Sequence, residues 1–312
     1  VAGVYVASYT PSGSFPYRLE RFDSQTLTLL DYIDDMASPA IAAGNLWAIG
    51  TGANAGNLYR LDRDDVSNVL DTINVGSVSR LSGTNERLYL TELSGSTAND
   101  RVERLNPTDG SSLWNVSGTV AGPNPTIVVD DGTYAYVINA EFSARSVTKL
   151  NASDGSFVDD VQLFAEPFDM TLVGSDLYVI RGSPTAMDRI ATSTMTVTQG
   201  VATGSYGGIA TDGTDVFLSV GGIGSSSAQR FSVGTQSIVE TISVSANQAG
   251  LPAAFNTDFY TTGYASSTGR LTRFTIDPLT ESNGANLFGY PQQVAVLYRN
   301  PGAGWVVGSV GW

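Results

Sequence analysis

An all-β fold is predicted for this chain: a seven-bladed β-propeller of four-stranded antiparallel blades, the ring closed by a C-terminal strand joining the first blade. Three observations carry it. A basic residue followed by a large apolar one recurs at Arg21-Phe22, Arg60-Leu61, Arg104-Leu105, Lys149-Leu150, Arg189-Ile190, Arg230-Phe231 and Arg273-Phe274. The steps between the basic residues are 39, 44, 45, 40, 41 and 43, and the only lysine falls on the repeat. A period near 40–45 residues with several short strands per unit is the sequence signature of propeller blades. Between these pairs lie short aromatic and β-branched runs bounded by turn signals, and no stretch sustains a 3.6-residue period, so almost no helix is expected.

Blade 2 illustrates the unit. Ala40-Ile41-Ala42 starts an inner strand, Asn45–Ile49 follows, Asn57–Asp62 is third and Val69–Ile73 is outermost. The second strand recurs as Leu88-Tyr89-Leu90, Tyr136-Val137-Ile138, Leu177–Ile180, Val216-Phe217-Leu218 and Phe259-Tyr260-Thr261. Such runs fit a pleated, buried surface. Asp-Gly pairs at 109–110, 131–132, 154–155 and 212–213 mark tight turns.

The first repeat lacks an inner strand, because the chain begins with Val4–Ala7, which reads as a second strand. Gln293–Tyr298 supplies the missing one and removes the open edge. The whole of 1–312 therefore reads as one domain, with 303–312 as an apolar tail. Two readings stand for that tail: an addition to the closure, or a strand offered to a partner through Trp305, Val307 and Trp312.

Composition narrows the chemistry. A chain of 312 residues buries roughly 75% of its unfolded surface, so no staple is needed. Cysteine is absent, which removes disulfides, thiolate nucleophiles and thiolate metal sites. Histidine is absent too, and with it the usual neutral-pH proton shuttle. The net charge of −14 argues against nucleic acid as a partner. No apolar run reaches the roughly 20 residues of a membrane-spanning helix. The start at Val1-Ala2-Gly3 is compatible with loss of an initiator Met or with cleavage of a signal peptide. Extracellular, cell-surface and virion locations are all expected alternatives, and a cytoplasmic origin stays open.

Arg104-Leu105-Asn106-Pro107-Thr108-Asp109-Gly110-Ser111-Ser112-Leu113-Trp114 resembles the repeat of quinoprotein-type propellers, and Lys149–Gly155 is a second copy without the tryptophan. Leu177-Tyr178-Val179 and Val4-Tyr5-Val6 resemble the strand signature of YVTN-type propellers of microbial surface proteins. The likeness implies the fold. Quinoprotein dehydrogenases carry eight blades, a calcium-bound quinone and a vicinal cysteine pair; this chain has seven repeats and no cysteine, so no cofactor is expected. Lactonase-type propellers are also similar, but those lean on a histidine that is missing here.

A feature present in every blade is scaffold, since a site needs one copy. The repeated base is expected to lay its stem across the neighbouring blade and to end on water or a nearby carboxylate such as Asp23 or Asp62. Function then belongs to what does not repeat: the loops that lead into the inner strands at the channel mouth. Prolines 39, 125, 167, 252 and 291 stiffen them. The candidate binding set is Arg80, Asn124, Glu166, Asp169, Tyr206, Gln248, Tyr290 and Gln293, with Asn247 and Gln292 beside them, a mixture suited to a sugar or a polar peptide. The acid clusters Asp31/Asp34/Asp35, Asp62/Asp64/Asp65 and Asp130/Asp131 lack calcium-loop spacing and read as solvated turns.

Three functions are weighed. The leading one is a non-catalytic interaction or structural module, a surface protein or a virus-like-particle component such as a phage tail or head attachment, with a protein or cell-surface glycan partner. An envelope assembly scaffold would show an apolar patch on one face or on the outer strands. A carboxylate-based glycan- or lactone-processing enzyme would set a pair such as Glu166 and Asp169 facing the channel beside a cleft.

Overall fold

Each blade starts at the central channel and works outward through three hairpins. The computed structural model describes residues 3–10, 17–84, 86–94, 96–141, 144–182, 184–222, 225–244, 248–255, 258–265, 268–288, 290–300 and 304–311. Blade 2 comprises Met36–Ala42, Asn45–Gly50, Asn57–Asp62 and Asp65–Asn74, hydrogen-bonded in that order. The inner strands of blades 3 to 7 are Arg80–Gly83, Pro125–Asp130, Pro167–Val173, Tyr206–Thr211 and Gln248–Phe255. The only helices described are single turns, at Gly52–Asn54 and Gly118–Ala121.

Ring closure follows the expectation. Tyr290–Asn300 is the inner strand of blade 1 and pairs antiparallel with Gly3–Tyr9, Val294 opposite Val6 and Val296 opposite Val4. The tail then turns back: Gly304–Gly311 pairs with Tyr290–Asn300 as a fifth strand on the channel side. Its backbone runs beside the inner strands of blades 2, 3, 6 and 7, so the channel is lined from within by the chain itself. Trp305 and Val307 thus lie on a strand added to the closure, and Trp312 falls outside the described residues.

The repeat has a physical cause that the linear sequence does not show. In all seven blades the basic residue stands directly across from an aromatic one on the second strand. The pairs are Tyr5/Arg21, Trp47/Arg60, Tyr89/Arg104, Tyr136/Lys149, Tyr178/Arg189, Phe217/Arg230 and Tyr260/Arg273. Every one of these aromatics is buried, at 1% exposure or less. The hydroxyls of Tyr5 and Tyr260 and the indole of Trp47 donate to the backbone carbonyls of Arg63, Ser24 and Pro107, in the next blade's turn between third and fourth strands.

The bases reach the same turns. Arg21, Arg60, Arg104, Lys149 and Arg273 donate to the carbonyls of Arg63, Thr108, Ala152, Thr192 and Gln25 respectively, each in the following blade. The repeated residue is an inter-blade staple, which satisfies turn carbonyls that would otherwise be covered without a donor. The carboxylate partners differ from those expected. Arg21 pairs with Asp31 and Arg60 with Asp71, both across on the fourth strand. Asp23 and Asp62 instead accept backbone N–H groups within their own turns, from Gln25 and Thr26 and from Asp64. A carboxylate two residues along a turn reaches those N–H groups more readily than a side chain across the strand.

The base-apolar pair also marks a β-bulge. In blades 1, 2, 3, 4, 6 and 7 the register between third and fourth strands slips at that pair. In blade 5 the slip falls between Met187 and Arg189. A bulge raises local twist and blunts an edge strand against pairing with another chain. A second set of bulges lies at the inner strands. There the register slips beside Pro39, Pro125, Pro167, Pro252 and Pro291, at positions where a missing N–H costs no ladder bond.

All four Asp-Gly pairs turn as expected, with φ at Gly110, Gly132, Gly155 and Gly213 between 69° and 91°. Gly110 is doubly constrained, because a Cβ there would sit 2.2 Å from Ile73 Cδ1 and 3.0 Å from the Trp47 ring. Gly110→Ala is expected to cost about 1–3 kcal/mol in chemical denaturation, the sum of left-handed backbone strain and overpacking. An unchanged midpoint would mean that the turn relaxes freely.

Candidate functional site

The inner strands begin, and the second strands end, on one face of the ring. The eight candidate residues sit at or within four positions of an inner strand's start, so topology gathers them on that face. Their side chains do not converge. Asn124 takes a left-handed φ of 52°, accepts Ala140 N–H through its carbonyl, and donates its amide to Glu141. It holds a turn. Tyr206 is 5% exposed; its hydroxyl is buried and burial pushes its pKa up to about 12. Glu166 is exposed, Tyr290 half-buried. Gln248 and Gln293 lie on described strands, and Asn247 falls outside the described residues.

Asp169 is buried, at 2% exposure, and its two oxygens accept the N–H groups of Met170 and of Ile209 in the neighbouring blade. It therefore stitches blade 5 to blade 6, as Ser38 and Ser82 stitch blades 2, 3 and 4 by accepting Leu81 and Val128 N–H. Burial pushes its carboxyl pKa up to about 8, against the lowering effect of the two N–H donors and of Arg80. With Glu166 exposed and Asp169 sealed, this pair does not make the cleft-facing couple that the enzyme reading expected.

The face does hold a cavity, of about 350 Å³, at the junction of blades 1, 2 and 3. Tyr17, Ser38, Thr51, Ser79 and Arg80 supply polar groups to its lining, and Ile49, Ala55 and Val78 apolar ones. Arg80 is the candidate residue that this cavity keeps. Burial lowers its pKa to about 10, only partly offset by Asp169, and it remains a cation at neutral pH.

The acid clusters are occupied by structure. Asp31 and Asp34 pair with Arg21 and Arg18, Asp130 with Arg87, and Asp65 accepts Ser67 N–H. Asp131 accepts Thr133 and Tyr134 N–H; despite opposing burial, these bonds hold its carboxyl below the usual range. Among the described residues no cluster of three such side chains could hold a metal ion. No described helix is long and apolar enough to cross a membrane.

A further feature went unread in the sequence. In blades 1, 2, 3, 4 and 6 the extra residue of the outer bulge is apolar and exposed: Leu30, Leu70, Leu113, Val158 and Val239. Leu29, Val69, Phe157 and Ile238 stand beside them, also exposed. The signal was the apolar doublet in the outer strands of blades 1, 2, 4 and 6, Leu-Leu, Val-Leu, Phe-Val and Ile-Val.

The chain is thus a seven-bladed β-propeller, carrying a cavity with polar lining at the mouth and an apolar outer rim. No family model and no curated protein matches it. Among solved structures it is similar to the dihydro-heme d1 dehydrogenase NirN in complex with DHE, at 12% identity and TM-score 0.61 over 92% of this chain and 67% of that one. It is also similar to Sqt1 of Saccharomyces cerevisiae (8% identity, TM-score 0.57, 94% and 90% covered) and to BamB from Moraxella catarrhalis (10%, 0.52, 97% and 90%). At these identities the likeness is one of fold.

Proposed function

We propose that this chain is a non-catalytic interaction propeller: a structural or attachment component of a larger assembly, at a cell surface or in a virus-like particle, contacting protein through its outer strands. The observation that carries this reading is the row of exposed apolar residues at one structural position in consecutive blades, Leu30, Leu70, Leu113 and Val158. Each is about half exposed and leaves roughly 1 kcal/mol of burial unclaimed in the isolated ring. A repeated apolar rim of this kind marks a contact surface. The same contact would serve an envelope assembly scaffold, the second reading, since it too calls for apolar outer strands.

The test is the size of the particle in the native source, by light scattering and electron microscopy of one fraction. The expected result is this chain at fixed stoichiometry in a large assembly. Replacing Leu30, Leu70 and Leu113 by serine should release it as a folded species near 32.8 kDa with an unchanged melting temperature. A wild-type chain found free at that mass would overturn the reading.

A further inference from the structure

Every other arginine whose side chain is described has an ion pair or a hydrogen bond: Arg18, Arg21, Arg60, Arg63, Arg87 and Arg101. The same holds for Arg104, Arg145, Arg181, Arg189, Arg230, Arg270 and Arg273. Arg80 has neither among the described residues, although it lines the 350 Å³ cavity. Guanidinium carries five donors in a fixed fork, and with no protein acceptor bonded to them they stay available to a ligand that enters the cavity. A second idle group shares the cavity: Thr51, whose hydroxyl oxygen is buried with no partner. An arginine without a protein partner and an unmet buried hydroxyl in the lining of one cavity point to a ligand and to its chemistry.

The fork of a single arginine matches one carboxylate. The one acidic side chain that acts on it, Asp169, is committed to two backbone N–H groups of its own. A dianion such as phosphate would keep one charge uncompensated in a protein of net charge −14. Volume and lining set the rest. About 350 Å³ is at the small end of ligand pockets, room for one small polar molecule such as a monosaccharide. Hydroxyl-bearing Tyr17, Ser38, Thr51 and Ser79 line it together with apolar Ile49, Ala55 and Val78, a mixed lining that suits a sugar, which carries both hydroxyls and aliphatic C–H surface.

We propose that this cavity binds a carboxylated monosaccharide, with its carboxylate on the Arg80 fork and a ring hydroxyl on Thr51. The site is separate from the outer rim, so its failure leaves the assembly reading standing, and the reverse holds too.

The test is isothermal titration of the full chain with glucuronate, with glucose as the neutral isostere and inorganic phosphate as the competing anion. Glucuronate is expected to bind, and glucose about tenfold more weakly or worse, the loss of one charged hydrogen-bonded pair. Arg80→Gln should weaken glucuronate about tenfold or more and leave glucose unchanged; Arg80→Lys, which keeps the charge and loses the fork, should fall between. Should Arg80→Gln fail to melt cooperatively, Thr51→Val carries the test and must also weaken glucuronate. The proposal is overturned by equal affinities for glucuronate and glucose, by no detectable binding of either, by phosphate displacing glucuronate at equal concentration, or by variants that bind like the wild type.

Discussion

Trp47→Ala is expected to cost about 3–5 kcal/mol of folding stability, while Arg60→Ala, directly opposite it in the sheet, costs about 1–2 kcal/mol. The two side chains form one unit of the repeat, but physics divides the work unequally. Trp47 is wholly buried, packs against the turn of blade 3 at Gly110, and donates its indole N–H to Pro107 O at 3.1 Å. Its loss opens a cavity between two blades and leaves Pro107 O with the Asn45 amide as its remaining side-chain donor. Arg60 is partly exposed; it loses an ion pair to Asp71, also partly exposed, and one bond to Thr108 O at 2.8 Å. Solvent screening keeps the ion pair at about 0–1 kcal/mol. Urea denaturation of the two variants measures the difference. Equal losses would mean that the base, rather than the aromatic, holds neighbouring blades together.

The second large effect is on pH. Stability is expected to fall as pH rises from about 5 to 8, by at most about 1.4 kcal/mol per unit, and Asp169→Asn should flatten most of that slope. The sign comes from Asp169, whose folded pKa is raised to about 8 from an unfolded value near 4. Folding takes up a proton between those limits, so the contribution is complete below the unfolded value and is lost as pH climbs through the folded one. Glu20, buried and likewise raised by desolvation against Ser8 and Phe288 hydrogen bonds, acts in the same sense. The window is unusually clean, because the chain has no histidine and its lowered acids, such as Asp23 and Asp131, are ionised throughout it in both states. Urea midpoints at pH 5, 6, 7 and 8 test this. A flat wild-type profile, or a slope kept in Asp169→Asn, would show that the two N–H donors hold this carboxylate ionised in the fold.

The candidate site was less legible than the ring. Arg80 was readable as a mouth residue because the inner strand it starts could be placed from the repeat. That it has no ion pair or hydrogen bond among the described residues, while Asn124 is drawn to Glu141 and Asp169 to the backbone of the next blade, depends on contacts between segments such as those 17 and 40 residues apart. The exposed rim was hidden for another reason. Leu29-Leu30 and Phe157-Val158 look like core strand residues, yet on the outermost strand both members of each pair stand exposed, the second as the extra residue of a bulge.

Blade number, strand order within a blade, the Asp-Gly turns and closure by Gln293–Tyr298 were determined by local pattern alone. A strand's period and a turn's φ are properties of a few neighbouring residues, repeated seven times. Partners were not. Arg21 chose Asp31 over the nearer Asp23, and the tail from Gly304 turned into the channel, because those outcomes depend on which groups the closed ring brings together and which it leaves in water. Only tertiary structure sets those distances, and it alone decided which cation is spare and which apolar residues face out.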